Sequence, residues 1–306
     1  MAVTIVPRSP RSVAATSSVR ARKATNAIAT AVLWVMASSI IVMLAAFILY
    51  IGYLGWSALS PAFILGVPKE TTPGGGIGPE IFNSFYILIL TLLFTTPIAI
   101  AAGVFLQEYA KAGLFRQIVQ FSAESLATVP SVVMGLFGLL VFVYTFHWGY
   151  TALGGALTLT VLNLPALLRV TQEALASVPD SLREASMALG GTKWQTITRV
   201  VLPSAIGRLT TGIVLIAGRI YGETAALIFT AGLSVTGNQP YDLNPFHTAE
   251  TLAVHLWYTH SESVVPDVDR IGNGSALVLL IMVLLFNVSA RLVGRALTKR
   301  FTGRVS

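Results

Sequence analysis

Six apolar stretches, each long enough to cross a lipid bilayer, leave this chain few folds to choose from. They run over about 27–54, 81–106, 122–146, 151–168, 206–231 and 275–297. A helix needs about 17–18 residues to cross the hydrocarbon core, and only helices or closed barrels satisfy their backbone there. Continuous apolar runs of this length read as helices. Charged residues make up 11% of the chain and apolar ones 54%, whereas soluble domains run near about a quarter charged. The expected fold class is an all-α polytopic membrane protein with six transmembrane helices and no room for a large soluble domain. The chain has no Cys, which excludes disulfides, thiolate metal sites and Cys nucleophiles.

An even number of spans puts both ends on one side, and the basic residues say which. Of 20 Lys and Arg, 17 fall in the N-terminal tail, the second–third turn (Lys111, Arg116), the loop 169–205 with Arg208, or the C-terminal end. The opposite side has Lys69 and Arg270, and Arg219 lies within a span. Both termini and the 169–205 loop are therefore cytoplasmic. The net charge of +7 is explained by topology, so no nucleic-acid partner is expected, and the embedding partner is membrane lipid. Residues 1–25 carry Arg8, Arg11, Arg20, Arg22 and Lys23 with no acid and read as a disordered basic cytoplasmic tail. The run from Ala27 to Leu54 is far longer than a signal-peptide core of about 7–15 residues, so it reads as an uncleaved first span.

The outer segments are different in kind. Residues 55–80 hold Gly74-Gly75-Gly76, a flexible connector that lacks the Gly-Lys-Ser/Thr ending of a phosphate loop. Residues 232–274 carry Asp242, Glu250, Glu262, Asp267 and Asp269. Within them Thr248 to Tyr258 reads either as a short amphipathic helix, with Leu252, His255 and Leu256 on one face and Glu250 pointing elsewhere, or as a solvated loop. His255 and His260 lack the i, i+4 spacing of a helical metal pair, so no metal site is expected. No acid, His or Ser cluster has a recognisable catalytic spacing, so no catalytic residues are expected either.

Two charged pairs lie in or beside the spans. Arg219 falls near the centre of the fifth, with Glu223 four residues on, a spacing that would put both on one helix face about 6 Å apart along the axis. An Arg at that depth costs about 2.5–3.5 kcal/mol, which a partner, a watery cavity or a function must offset. The pair reads as a charged station on an anion path or as an ion pair pinning the span. Arg169 and Glu173 repeat the spacing at the inner end of the fourth span, where both can also reach water. Arg219 beside Glu223 would offer donors and one acceptor, which suits an anion that keeps a proton, such as phosphate, better than sulfate.

The longest polar interruption on the cytoplasmic side is DSLREASMALGGTKWQTITRVVLP, Asp180 to Pro203. Ser181 can cap a helix with Glu184 as its capping-box partner. Leu182, Ala185, Met187, Ala188 and Leu189 supply an apolar stripe, and Gly190-Gly191 stops the helix. Thr192 can cap a second helix from Lys193 to about Val201, which Pro203 is expected to end. A plain surface loop and a knob for a soluble partner both fit this pattern. The spacing Glu184-Ala185-Ser186, Gly190, Val200, Leu202-Pro203 resembles the Glu-Ala-Ala-x3-Gly-x9-Ile-x-Leu-Pro signature of ABC importer permeases, with Ser186 and Val200 as conservative departures. That resemblance implies that Glu184, Ala185, Ser186, Leu189 and Gly190 belong to a coupling helix that docks on an ATPase.

A narrower resemblance lies in the spans. Arg219-Ile-Tyr-Gly222-Glu223-Thr224-Ala225-Ala226-Leu227 is similar to the Arg-x2-Gly-Glu-Thr-Ala-Pro-Leu segment of PstA-type permeases of phosphate-specific importers, with Ala226 in place of Pro. Leu164-Pro165, Arg169, Glu173-Ala174-Leu175 and Val178-Pro179 match a second run of that family. The resemblance covers about Pro79 to the C-terminus. It implies a type I ABC importer permease (MetI-like) fold over residues 26–306, in the bacterial plasma membrane. It further implies pairing with a PstC-type permease, a dimer of PstB-type ATPases and a PstS-type phosphate-binding protein outside, with Arg219, Glu223, Arg169 and Glu173 on the substrate pathway. ATP and Mg would sit on the partner ATPase, since Gly-x4-Gly-Lys-Ser/Thr occurs nowhere in this chain. A permease for another oxyanion (phosphonate, sulfate or molybdate) and a docking or sensing subunit that moves nothing remain open alternatives.

Overall fold

A computed structural model of the chain describes residues 12–69, 72–111, 113–234, 239–262 and 265–302. Among these residues the regular structure is helical: α1 (Ser12–Gly55), α2 (Pro61–Leu65), α3 (Gly78–Val104), α4 (Leu114–Ala127), α5 (Ser131–Gly138), α6 (Ala152–Ala176), α7 (Asp180–Ala188), α8 (Lys193–Thr196), α9 (Leu202–Tyr221), α10 (Ala225–Ile228), α11 (Leu252–Ser261) and α12 (Val268–Thr302). Wide π-helical turns extend three of them, at Phe105–Tyr109, Leu139–Thr145 and Ile197–Val201. The chain divides into two units, Met1–Leu54 and Gly55–Ser306. The first is essentially α1. Residues 12–25, expected to be disordered, are helical from Ser12 onward, and residues 1–11 lie outside the described residues. No Pro or Gly separates the basic stretch from the apolar one between Ser12 and Ile51, so nothing local stops the helix from extending.

Among the described residues five helices are long and apolar enough to cross a membrane: Arg22–Ala58, Gly78–Tyr109, Ala152–Ala176, Lys193–Tyr221 and Val268–Ala296. The expected third span is not one straight helix. Leu114–Ala127 and Ser131–Thr145 meet at 100°, and only if this bent pair counts as one does the total reach six. The bend falls at Thr128–Pro130, where Pro130 biases Val129 away from the helical region and offers no N–H of its own.

The second unit is built around α6, which packs against α3 and α9, while α12 lies along α9. Thr151 caps α6 by accepting the Gly154 N–H at 3.0 Å. Leu159, Leu162 and Leu167 of α6 are buried with Ile87, Leu88 and Ala99 of α3 and Ile216, Ala217 and Ile220 of α9. Small residues bring the backbones close, as membrane helices require. Buried Thr side chains return their hydroxyls to their own helix, and Thr95 also meets Thr160 across the α3–α6 seam at 3.2 Å.

The fifth expected span, 206–231, is displaced at both ends. The helix begins at Lys193, runs unbroken through α8, the π turn and α9, and stops at Tyr221. Pro203 does not end it. Pro203 sits in the first turn of α9, directly after the π turn at Ile197–Val201, where the shift in hydrogen-bond register accommodates its missing N–H.

Candidate functional site

The cytoplasmic elbow 180–196 is a helix, a glycine turn and a second helix, as expected, but its fastenings differ. The start of α7 has Pro179 at the cap and no side-chain cap, so the expected Ser181–Glu184 box is absent. Its end is closed by the Gly191 N–H to the Ser186 carbonyl (3.1 Å) and the Gly190 N–H to the Met187 carbonyl (3.0 Å), a Schellman turn. Gly190 takes φ +84°, a left-handed conformation that a side chain resists. Thr192 then starts α8 with a full capping box to Gln195. Ser186 Oγ meets Thr196 Oγ1 at 2.9 Å and ties the two helices together.

The apolar stripe of the elbow does not pack on the body. Glu184, Ala185 and Leu189 are exposed, as are Leu182, Met187 and Trp194, with Leu189 at 90%. A knob that leaves this many apolar side chains in water is shaped for a partner.

What holds the elbow in place is a set of long-range contacts that sequence spacing did not reveal. Arg183 donates to Glu108 (2.8 Å), Asp180 (3.0 Å) and the carbonyls of Leu175 (2.9 Å) and Val178 (2.7 Å). Glu108 lies in the π turn that ends α3, and its neighbours are engaged too. Gln107 accepts from Arg116 at 3.2 Å, and the Lys193 ammonium sits 4.8 Å above the Tyr109 ring. Three successive residues therefore connect α3 to α4, α7 and α8.

Arg169 and Glu173 form the expected i, i+4 ion pair at 3.1 Å, well exposed at 71% and 66%. They line a cleft of about 620 Å³ between α4 and α6, together with Arg116, Glu124, Gln107 and Gln172. Arg219 and Glu223 do not line it.

The expected Arg219–Glu223 pair on one helix face is not formed. Arg219 occupies the last turn of α9, and Glu223 lies past the helix end at Gly222. Glu223 Oε1 instead accepts the Ala226 N–H of α10 at 3.4 Å. Among the described residues no ion pair links the two, and Arg219 is exposed. The depth of Arg219 follows from counting along the helix. Arg208 is the preceding cation on this helix, and a cation at the inner boundary is the norm. Eleven residues further along, Arg219 is about 16 Å deeper, near half the thickness of a core of roughly 30 Å. With Arg208 at the inner boundary the helix would stop inside the membrane layer, where non-helical backbone must be buried in protein or face a watery cavity. At such breaks transport proteins point half-helix N-termini at anionic groups and place cations at C-terminal ends, and the end of α9 is a C-terminus, so any attraction for an anion there comes from the guanidinium.

On the outer side, the described residues of 232–274 are ordered by packing. Thr248 to Tyr258 is neither amphipathic on the surface nor a solvated loop. Its helix, α11, starts at Leu252 and buries Leu252, Val254 and His255. His255 faces two carboxylates, Glu250 at 3.2 Å and Glu80 at 3.9 Å, so Glu250 points toward this face rather than away from it. Burial opposes a charge on His255, but the Glu250 hydrogen bond and the two carboxylates outweigh it and raise its pKa. Local spacing could not find this set, because Glu80 belongs to the first turn of α3.

Nearer the surface, Asp242 accepts the Asn244 N–H and pairs with His247. These contacts, the backbone one first, lower the Asp242 pKa. Its stabilising effect is therefore present above the ordinary carboxylate value and is lost as pH falls through the lowered folded value. Amide exchange at Asn244 and Phe246 is expected to speed up over that acid window, and Asp242→Asn should remove the step. An unchanged step in the variant would assign it to another group.

The family described as binding-protein-dependent transport system inner membrane component matches residues 96–303. The chain belongs to this family. It is a permease subunit of the ABC importer class, a multi-pass protein of the bacterial inner membrane. Over 290 residues it is 44% identical to the probable ABC transporter permease protein YqgI of Bacillus subtilis, covering 92% of this chain and 99% of that one. It is 36% identical over 219 residues to the phosphate transport system permease protein PstA of Xylella fastidiosa, covering 71% and 74%. The permease fold matches a chain in the crystal structure of a bacterial alginate ABC transporter bound to its alginate-pentasaccharide-loaded periplasmic protein. The TM-score is 0.65 at 17% identity over 90% of this chain and 96% of that one, a likeness of fold alone.

Proposed function

We propose that this permease imports inorganic phosphate as one of two membrane subunits. The observation that carries the reading is the 36% identity to PstA of Xylella fastidiosa over 219 residues. The guanidinium of Arg219 supports it, since it is exposed at the end of α9, has no carboxylate partner among the described residues and can hold an oxyanion by charge-assisted hydrogen bonds. In this reading a PstC-type permease forms the other half of the pathway, and a PstS-type protein delivers phosphate from outside. A PstB-type ATPase dimer grips the exposed elbow face around Glu184, Ala185, Ser186, Leu189 and Gly190. Closure of that dimer on ATP would move the elbow and open the pathway outward, and hydrolysis would reset it. This chain supplies the pathway and the coupling surface, and the nucleotide chemistry belongs to the ATPase. Arg169 and Glu173, at the mouth of the cytoplasmic cleft, would pass the anion inward.

Labelled-phosphate uptake in phosphate-starved cells lacking this gene tests the reading. Wild type is expected to restore uptake, and Arg219→Ala to leave it at least about tenfold lower at equal membrane abundance, the loss of a charge-assisted contact of about 1.5–3 kcal/mol. Arg219→Lys keeps the charge without the planar fork and should fall between. Undiminished uptake in the deletion strain, with no second copy of the system, would move the assignment to phosphonate, sulfate or molybdate. Full uptake by Arg219→Ala would remove Arg219 from the pathway.

A further inference from the structure

Glu80, Glu250 and His255 are buried to within 0%, 3% and 7% exposure, yet they come from segments about 170 residues apart in sequence. One ligand-type atom from each lies within 4.8 Å of the other two. Neither oxygen of Glu80 has a hydrogen-bond partner, and His255 Nε2 has none either. A buried carboxylate with both oxygens unsatisfied is costly, and hydrogen bonding within the cluster does not relieve it, because Glu80 and His255 stand 3.9 Å apart.

We propose that these three side chains form a binding site for one divalent transition cation of the zinc or manganese type on the outer side of the permease. Two carboxylates and a neutral imidazole carry a charge of −2, which one divalent cation cancels. The donors are two oxygens and a nitrogen, a set suited to Zn2+ or Mn2+. Donor atoms around a tetrahedral Zn2+ lie roughly 3.3 Å apart. The His255–Glu250 separation of 3.2 Å is already there, and the His255–Glu80 separation of 3.9 Å needs only a small side-chain adjustment.

The supports of the three ligands are rigid, as a metal site requires. Ser84 Oγ accepts the Leu252 N–H at 2.9 Å and donates to the Glu80 carbonyl at 2.7 Å. The Asn83 amide donates to the Glu250 carbonyl at 3.1 Å. Thr251 caps α11 and sets the direction of His255. A cavity of about 240 Å³ reaches Glu250 and His255 from the side of Lys69, Gly75 and Gly76, giving an entry path and room for a water in the fourth position. A bound cation would staple the start of α3 to α11.

The test is metal content, a readout separate from uptake. The assembled transporter in lipid nanodiscs is stripped with chelator, loaded with Zn2+, desalted and analysed by mass spectrometry, with Mn2+ in a parallel arm. About one Zn2+ or Mn2+ per copy of this chain is expected, with Glu80→Gln and His255→Gln each lowering affinity at least about tenfold. His247→Gln and His260→Gln should leave binding unchanged. Co2+ in place of the native ion should give visible absorption bands that Glu80→Gln abolishes. Wild type that retains no Zn2+ or Mn2+, or retains as much as the Glu80→Gln/His255→Gln double variant, would overturn the proposal and assign the cluster to a shared proton. Because Glu80→Gln is nearly isosteric, the wild-type stoichiometry and the Co2+ spectrum decide the question even where His255→Gln folds poorly.

Discussion

Arg183→Ala is expected to collapse transport, read as the proposed phosphate uptake, while the chain still reaches the membrane. The substitution removes the guanidinium that ties α7 to the π turn after α3 and to the end of α6. Glu108 loses its partner at 9% side-chain exposure, and the carbonyls of Leu175 and Val178 lose theirs. Breaking such a pair from one side costs about 3–5 kcal/mol when fully buried. Arg183 is 15% exposed, so about 3 kcal/mol is the reasonable figure. The loss falls on the junction between α7 and α3, and the spans themselves keep their packing. Arg183→Lys should recover little, since one ammonium cannot serve a carboxylate and two carbonyls in a fixed fork. Glu108→Gln keeps a hydrogen bond and should be milder, and the Arg183→Ala/Glu108→Gln double variant should cost less than the sum of the two. Uptake at wild-type level in Arg183→Ala would show that the elbow needs no such anchor.

Gly212→Leu is expected to prevent accumulation of the folded protein. A Cβ at Gly212 would stand 2.0 Å from Val170 Cγ1, and one at Gly103 would stand 2.5 Å from Thr171 Cγ2. Consecutive residues of α6 are thus pressed by α9 from one side and α3 from the other. Val170 and Thr171 are β-branched and have few alternative rotamers in a helix, so the backbones must part. Gly212→Ala alone should cost about 1–3 kcal/mol and lower the melting temperature of the purified protein. Combining it with Val170→Ala should restore most of the loss, because the second change clears the space the first one fills. A double variant no better than Gly212→Ala would place the defect elsewhere.

The apolar runs were legible because each is set by composition over some twenty residues. So was the elbow, since Gly190-Gly191 and Thr192 act through their own backbone. The misreadings came where one local rule met another. Pro203 reads as a stop, yet a π turn just before it lets the helix continue. Pro130 carried the signal for the bend between α4 and α5, but the apolar run that follows it to Phe146 hid it. Arg219 and Glu223 have helical spacing, and Gly222 between them ends the helix. The Arg183–Glu108 anchor and the Glu80–Glu250–His255 cluster join residues 75 and about 170 positions apart. Periodicity within a segment contains no information about such partners, so only the packing of the helices could bring them out.

The helix from Lys193 to Tyr221 also has the geometry of a lever. Its short arm ends at the elbow, its long arm ends at Arg219, and the wide turn at Ile197–Val201 is its natural fulcrum. Eighteen residues separate Val201 from Arg219, about 27 Å of arm. A tilt of about 10° at the fulcrum would therefore sweep the guanidinium through about 5 Å. A push of an ångström or two on the cytoplasmic knob would become a displacement of about 5 Å at the break after α9.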